Sequence, residues 1–419
     1  MEAAENRVVV ASPSSERKRE RRKIRRRNEK PVIAPSTLPN ELIEEIFLRL
    51  PVKVLIRLRS LSKQWRVTME SLSFAERHLK IAKQSRVKVM VIGEEDYLKG
   101  TLGYIPHPDT NVGFRMFCLE SGSLLSFTLI NFSQGFGNWM YISGNCNGLF
   151  CIHSPYKQSV FVVNPATRWQ RQLPPARFQI LMHKFNPTLD EWIAMDSVFH
   201  LAFVRAAADY KLVWLYNSDK YNADLSCPNQ EVTKCEVFDF RTNSWRYLAC
   251  TPSYSIFPNQ KPAYANESVY WLTELHEGRT EVVVFDIHTE TFRLLPKIIP
   301  AIASSDPRHI DMCTLDNHLC MSKREHVTMI QDIWRLNPSK DTWEKIFSID
   351  LLSCPSPRAE FRDRFEWSQK DMVEPSTPVA VCKNKKILLS HCYSRGLFYW
   401  FFILRKFRQR FIIIHIPYT

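Results

Sequence analysis

Glycine is scarce in this chain, 11 residues among 419. That scarcity excludes collagen-like repeats, flexible glycine-rich linkers and most phosphate-cradling loops. No uninterrupted apolar run reaches about 18 residues, so no membrane-spanning helix and no membrane partner are expected. The first residues lack an apolar signal-peptide core, and the chain is expected to stay inside the cell, in the nucleus and/or the cytoplasm. No pair among the 11 cysteines has the C-x-x-C spacing of a zinc or thioredoxin site. The nearest two, Cys146 and Cys151, flank four residues of a stretch that otherwise reads as a strand. All are read as small buried hydrophobes. Without secretion, the glycosylation patterns Asn131-Phe132-Ser133 and Asn266-Glu267-Ser268 carry no meaning.

Catalytic signatures are missing as well. There is no H-E-x-x-H, no G-x-S-x-G and no P-loop. The 12 histidines fall singly: His153 at a strand end, His276 in a loop, His326 beside Glu325. A lone histidine is a structural residue until partners in space are found. Cys146 as a nucleophile has equally little behind it. No catalytic residue, metal ligand or cofactor is expected.

What the chain does have is apolar content: 45% hydrophobic and 12% aromatic, with 25 prolines. Its length admits two or three domains. The net charge of +14 is concentrated near the start, where Glu16 to Lys30 holds ten basic residues against three acidic. Such a block repels itself and has almost nothing to bury, so residues 1–35 are expected to be a disordered basic tail. Arg17, Lys18, Arg19, Arg21, Arg22, Lys23, Arg25, Arg26 and Arg27 form a candidate nuclear-import signal. A polyanion contact and a solvated tail without a dedicated partner are the other readings. No aromatic residue is interleaved to stack on bases, so nucleic acid is not the expected partner.

The segment "LPNELIEEIFLRLPVKVLIRLRSLSKQW", Leu38 to Trp65, follows the tail. Pro39 suits the first position of a helix, with Glu41, Glu44 and Glu45 early and Arg49 late, as the helix dipole favours. Leu38, Leu42, Ile43, Ile46, Phe47 and Leu50 make an apolar stripe. Pro51 ends this helix and opens another, striped by Val52, Leu55, Leu58, Leu61 and Trp65. Leu48, Val54 and Ile56 lie off the stripes. Two short helices cannot bury that much apolar surface against each other, which leaves surface for a partner.

These residues resemble an F-box of the plant type. The pattern stands as Leu38-Pro39, Glu41-Leu42, Ile46-Phe47, Leu50-Pro51, Leu55, Arg57, Arg59 and Ser62-Lys63-Gln64-Trp65, trailed by Ser73-Phe74 and His78-Leu79. Leu61 stands where valine is common and Phe47 where leucine is. The resemblance implies a three-helix module, residues 36–82, that docks on the Skp-type adaptor of a cullin-based ubiquitin ligase. Leu38, Pro39, Leu42, Ile46, Leu50, Pro51, Leu55, Leu58 and Trp65 are the residues expected to face the adaptor or to form the scaffold behind that face. The pattern does not sort these two roles.

From about Val87 the helical period gives way to short β-branched and aromatic runs: "VMVIG", "LFCI", "SVFVVN", "DYKLVWLY", "KCEVFDF", "SVYWL", "EVVVFDI", "DIWRL" and "KILLS". Turn residues separate them, so this region reads as an all-β domain. It also repeats. "VVNPATRW", "FDFRTNSW" and "FDIHTETF" share a strand end, a polar turn and an aromatic on the return strand, and "WRLNPSKDTW" adds two residues. The aromatic is expected to pin each hairpin to the core.

This part resembles the F-box-associated, kelch-related domain of many plant proteins, over residues 87–396. "SGNCNGLFCI" with "VVNPATRWQRQLP" carries most of the likeness, and "ADYKLVWLY" matches a further strand. The expected fold class is α+β multidomain: a small all-α F-box followed by an all-β, propeller-like repeat domain. Residues 397–419 depart from the pattern. A buried closing strand, a divergent end that leaves the last blade incomplete, and a membrane-surface segment are the readings of that segment.

The resemblance implies a non-catalytic substrate-recognition subunit of an SCF ligase. Its partners would be the adaptor and, through it, a cullin scaffold, together with a target protein that the sequence does not identify. Two alternatives belong to other classes. One is a nuclear polyanion-associated protein acting through the basic tail. The other is a ligand-binding propeller with a degenerate F-box, using Trp139, Trp192 and Trp214 unless these are core.

Overall fold

The computed structural model describes residues 38–83, 88–94, 110–118, 123–132, 140–144, 146–154, 157–185, 199–206, 209–217, 233–249, 251–252, 254–258, 260–325, 327–350, 377–382, 386–391, 399–403 and 412–414. It divides into two compact units, Met1–Lys83 and Gln84–Thr419. The basic tail, with its import candidates Arg17 to Arg27, lies outside the described residues, as do Trp139, Trp192 and His326.

The described residues of the first unit form four helices: α1 (Asn40–Leu48), α2 (Val52–Leu58), α3 (Lys63–Glu70) and α4 (Leu72–Lys83). Four replace the expected three because Ser71 takes ψ 146° and breaks the run between α3 and α4. The Ser71 hydroxyl donates to the Thr68 carbonyl at 2.7 Å and accepts from the Phe74 amide at 3.2 Å, capping the new helix. Pro39 is the N-cap of α1, one residue before the expected place, and Pro51 is the N-cap of α2. Both prolines have extended ψ, and their carbonyls accept the first helical amides: Leu42 and Ile43 on Pro39, Val54 and Leu55 on Pro51.

The second unit is built from antiparallel sheets laid down in chain order. The first has three strands: β1 (Lys88–Glu94), β2 (Thr110–Cys118) and β3 (Leu124–Phe132). Five four-stranded meanders follow. They are β4–β7 (Tyr141–Ile142, Phe150–Ser154, Ser159–Asn164, Trp169–Leu173) and β8–β11 (Ala202–Ala206, Asp209–Asn217, Thr233–Asp239, Ser244–Tyr247). Next come β12–β15 (Ala263–Ala265, Ser268–Leu272, Val282–Asp286, Phe292–Leu294) and β16–β19 (Ile310–Leu315, His318–Arg324, Ile330–Asn337, Thr342–Asp350). The last is β20–β23 (Thr377–Cys382, Lys386–His391, Tyr399–Ile403, Ile412–Ile414). It crosses the boundary expected at residue 396, because Tyr399–Ile403 pairs with Lys386–His391. Among the described residues, the α-helices α5 (Arg177–Phe185) and α6 (Pro300–Ala303) lie in crossovers between sheets.

Stacking of consecutive sheets explains the continuous apolar runs. On the second sheet, Phe150, Ile152, Phe161 and Val163 pack toward the first sheet's Val112, Phe114, Ile130 and Phe132. Their alternates, Cys151, Val160 and Val162, pack toward the third sheet's Val213, Leu215 and Val237. A strand covered on both faces needs apolar residues at every position, and "SVFVVN" is written that way. The fourth and fifth sheets meet in the same manner through Tyr270, Leu272, Val282 and Val284 against Met312, Leu319 and Met321. This succession is propeller-like.

The sequence repeat is the third-to-fourth-strand turn of successive sheets. Asn164, Asp239, Asp286 and Asn337 stand at the same place in it. Each side-chain carboxyl or amide oxygen accepts from backbone amides two or three residues on, at 2.7–3.4 Å. These Asx turns are followed by Arg168, Asn243, Glu290 and Asp341, all at positive φ, before the chain returns. Two of the returning aromatics reach across sheets. Trp245 Nε1 donates to the Pro174 carbonyl at 2.8 Å and Trp343 Nε1 to the Lys297 carbonyl at 2.9 Å, each just past the outer strand of the preceding sheet. Phe292 has no N–H and packs on Phe285 instead, with ring centroids 4.9 Å apart. Trp169 is the exception to the expected pinning: it is exposed. Trp245→Phe and Trp343→Phe should each cost about 1 kcal/mol of unfolding free energy, the worth of one hydrogen bond. Urea-unfolding midpoints check this, and two unshifted midpoints would show that these indoles do not join the sheets.

Candidate protein-docking surface

The helical unit sorts the candidate residues that the pattern left together. Phe47, Leu48, Leu55 and Phe74 are its buried core, and Ile43, Leu50, Leu58, Trp65, Met69 and Ile81 pack against it half-buried. Leu38, Leu42 and Ile46 are 54%, 51% and 48% exposed. Leu42 and Ile46, four residues apart, line one row of α1, with Leu38 just before its Pro39 cap, while Ile43 and Phe47 line the row facing inward and Leu50 follows the helix end. The single expected stripe is thus two rows with different jobs. Pro39 and Pro51 are exposed beside the outer row.

Part of the apolar surplus lies beyond the first helix. Leu48 is buried, and Val54 and Ile56 are half-buried. Leu61, Val67 and Leu72 are exposed, as Leu38, Leu42 and Ile46 are. Val67 and Leu72 were missed because they belong to α3 and α4, after the matched pattern thins out.

Each remaining motif residue has a physical task. Ser62 is the N-cap of α3, and its hydroxyl accepts from the Trp65 amide at 3.1 Å. That cap aims the Trp65 ring edge-on at Phe47, centroids 5.0 Å apart, so Ser-Lys-x-Trp is a cap plus a core contact. His78 places a ring nitrogen 2.9 Å from the Leu50 carbonyl, tying α4 to the end of α1. Arg77 bridges Glu44 and Glu45 across the same helices, and Arg59 pairs with Glu70. The hydrogen bond from Arg49, then that from Arg77, holds the Glu45 carboxyl below its ordinary value. These exposed pairs set register more than stability.

In the β-domain the chemistry-bearing side chains are inside. Burial pushes the Cys151 and Cys320 thiols up to about 12. Cys146 is buried in the same core cluster as Cys151, in a tight turn closed by Asn147 and Gly148 at positive φ. Trp214, a ligand-contact candidate unless core, is fully buried, and its Nε1 donates to the Phe199 carbonyl at 2.8 Å. It sits on the central strand of a doubly covered sheet, where an aromatic has no route to a ligand. Glu236 is buried too, its oxygens accepting from the Arg177 and Phe178 amides and from Tyr216 Oη at 2.8–2.9 Å. Desolvation raises its carboxyl above the ordinary value against those bonds. Its visible work is to hold the start of α5 against the third sheet.

Among the described residues, no group of three or more His, Cys, Asp or Glu side chains is arranged to hold a metal ion. No described helix is long and apolar enough to cross a membrane. The helical unit therefore presents surface for binding, with an exposed apolar row over a packed scaffold.

Comparison with known proteins agrees with both units. A family model described as F-box domain matches residues 35–77, and one described as F-box associated beta propeller domain matches residues 129–406. An F-box/kelch-repeat protein of Arabidopsis thaliana is 71% identical over 406 residues, covering 95% of this chain and 92% of its own length. A second Arabidopsis F-box protein is 65% identical over 371 residues, 87% of this chain and 79% of its own. A more distant F-box protein from the same plant is 35% identical over 325 residues, 76% of this chain and 70% of its own.

Proposed function

The chain belongs to the family of F-box proteins with a C-terminal F-box-associated β-propeller domain, and on that premise we propose that it is a substrate-recognition subunit of an SCF-type ubiquitin ligase. The observation that carries the reading is the exposed row Leu38, Leu42 and Ile46, standing on a core of Phe47, Leu48, Leu55 and Phe74. A rigid scaffold behind an uncovered apolar row is what a tight helical docking surface requires. The F-box holds a Skp-type adaptor and, through it, a cullin scaffold, while the β-domain holds a target protein. Chemistry stays with other subunits. This chain contributes proximity, raising the effective concentration of target lysine near the charged conjugating enzyme. The basic tail adds a candidate import signal, which fits action in the nucleus as well as the cytoplasm.

A binding titration of the purified full chain against a Skp-type adaptor tests this, with Leu38→Ala/Pro39→Ala alongside. Tight binding lost in the double variant, with the β-domain still folded, is the expected result. No binding by the wild-type chain would overturn the receptor reading and bring forward polyanion binding by the tail, recognisable by its steep salt dependence.

A further inference from the structure

The two ends of the β-domain are unlike. In an antiparallel meander, the first-to-second and third-to-fourth connections share one end. The second-to-third connection and the crossover to the next sheet share the other. The first end is pinned. Asn266-Glu267 and Asp316-Asn317 close two-residue turns at positive φ, and the four Asx turns close the outer hairpins. In the fourth and fifth sheets this leaves no spare chain to vary at that end. At the second end the connections of these two sheets are longer, running from Leu272 to Val282 and from Arg324 to Ile330. Connections of that kind are where a rigid scaffold carries recognition.

Exposed apolar residues mark one sector of this second end. Val327, at the tip of the β17–β18 hairpin, is 88% exposed, the largest value among the described large hydrophobics. Leu275, at the tip of β13–β14 in the adjacent sheet, is 51% exposed, and Ile330 is exposed at the base of the Val327 tip. Helix α6 ties the two hairpins together. The Ala303 carbonyl accepts from the Thr280 amide at 2.8 Å, Thr280 Oγ1 donates to the Ser305 carbonyl at 2.8 Å, and Lys323 Nζ donates to the Ala301 carbonyl at 3.1 Å. The tips are thus fixed relative to each other. They carry Glu274, Glu277 and Glu325 against Arg279, an acidic excess on a chain of net charge +14.

We propose that the hairpin tips around Leu275 and Val327, flanking α6, form the docking surface for the target, and that it receives a basic polypeptide segment with an apolar anchor. The apolar tips supply contact area, the glutamates select the charge of the flanks, and α6 keeps the spacing. The surface rests on the receptor reading only for the identity of its occupant as a ligase target. A lysine-bearing segment is also what ubiquitin transfer consumes.

The test is selection of a displayed random peptide library on the purified full chain. Recovered peptides are then titrated against Leu275→Ser/Val327→Ser, against Glu277→Lys/Glu325→Lys, and against Lys340→Glu at the pinned end as control. Peptides with lysine or arginine flanking a leucine, isoleucine or phenylalanine are expected. Their affinity should fall about tenfold or more on each double variant and hold on the control. Acidic peptides, peptides indifferent to both double variants, or no recovered peptide would overturn the proposal. Adaptor affinity is measured on the same preparations. Adaptor binding with peptides that ignore the tips removes this surface and leaves the receptor reading standing. Tip-dependent peptides without adaptor binding do the reverse.

Discussion

Leu42→Glu/Ile46→Glu should lower affinity for a Skp-type adaptor by about a hundredfold while leaving the helical unit folded. Phe47→Ala should lose the same binding by unfolding it. The two outcomes differ because the residues are neighbours in sequence and opposites in space. Leu42 and Ile46 are half-exposed on the outer row of α1, so a carboxylate there stays in water in the free protein and is desolvated only against a partner. Hot-spot losses of about 3 kcal/mol correspond to that hundredfold. Phe47 is buried and meets Trp65 edge-on at 5.0 Å. Truncating it costs roughly 3–5 kcal/mol, more than a unit this small can be expected to spare. Adaptor titration with limited proteolysis of the helical region separates the cases. Glutamates that leave the affinity intact would show that the outer row of α1 is not the docking face.

The second large effect is on acid stability. His153 is buried on β5, its ring 5.3 Å from Trp214 and 6.0 Å from Tyr141, centroid to centroid. Neither ring nitrogen meets a hydrogen-bonding partner. Burial, with a smaller contribution from the charge of Lys261, pulls its pKa down from 6.5 to about 3. The folded state therefore refuses a proton that the unfolded state accepts below pH 6.5. Stability is fully present above that pH. It falls by about 1.4 kcal/mol per unit as pH drops from 6.5 toward about 3, or about 2 kcal/mol by pH 5. Urea unfolding at pH 7.5 and pH 5 should show this loss in the wild-type chain. His153→Phe should shrink it, since phenylalanine fills the same aromatic nest without titrating, and should be at least as stable at pH 7.5 because it buries no unpaired nitrogen. An undiminished acid loss in His153→Phe would assign it to other groups.

Short-range pattern carried much of this protein. The prolines at 39 and 51 act within a few residues of themselves, so the starts of the first two helices could be read directly, whereas the apolar stripe from Val52 to Trp65 runs across the break between α2 and α3. Strands such as Ser159–Asn164 and Ser268–Leu272 were legible because a strand covered on both faces has to be apolar throughout. The turn repeat was legible because an Asx oxygen needs its amides two and three residues ahead. Other features depend on contacts far along the chain. Whether an α1 leucine is core or surface turns on which row meets α2 and α4, so Leu42 and Phe47 look alike in the pattern and differ in the fold. Trp214 is core and Trp169 is exposed for the same reason: one strand lies between two sheets, the other at an outer edge. Helix α5 escaped notice because it is held from outside, by the carboxylate of Glu236. The number of sheets, and the strands at Tyr399–Ile403 and Ile412–Ile414 in the last one, emerge only when each sheet finds the neighbour that covers its face.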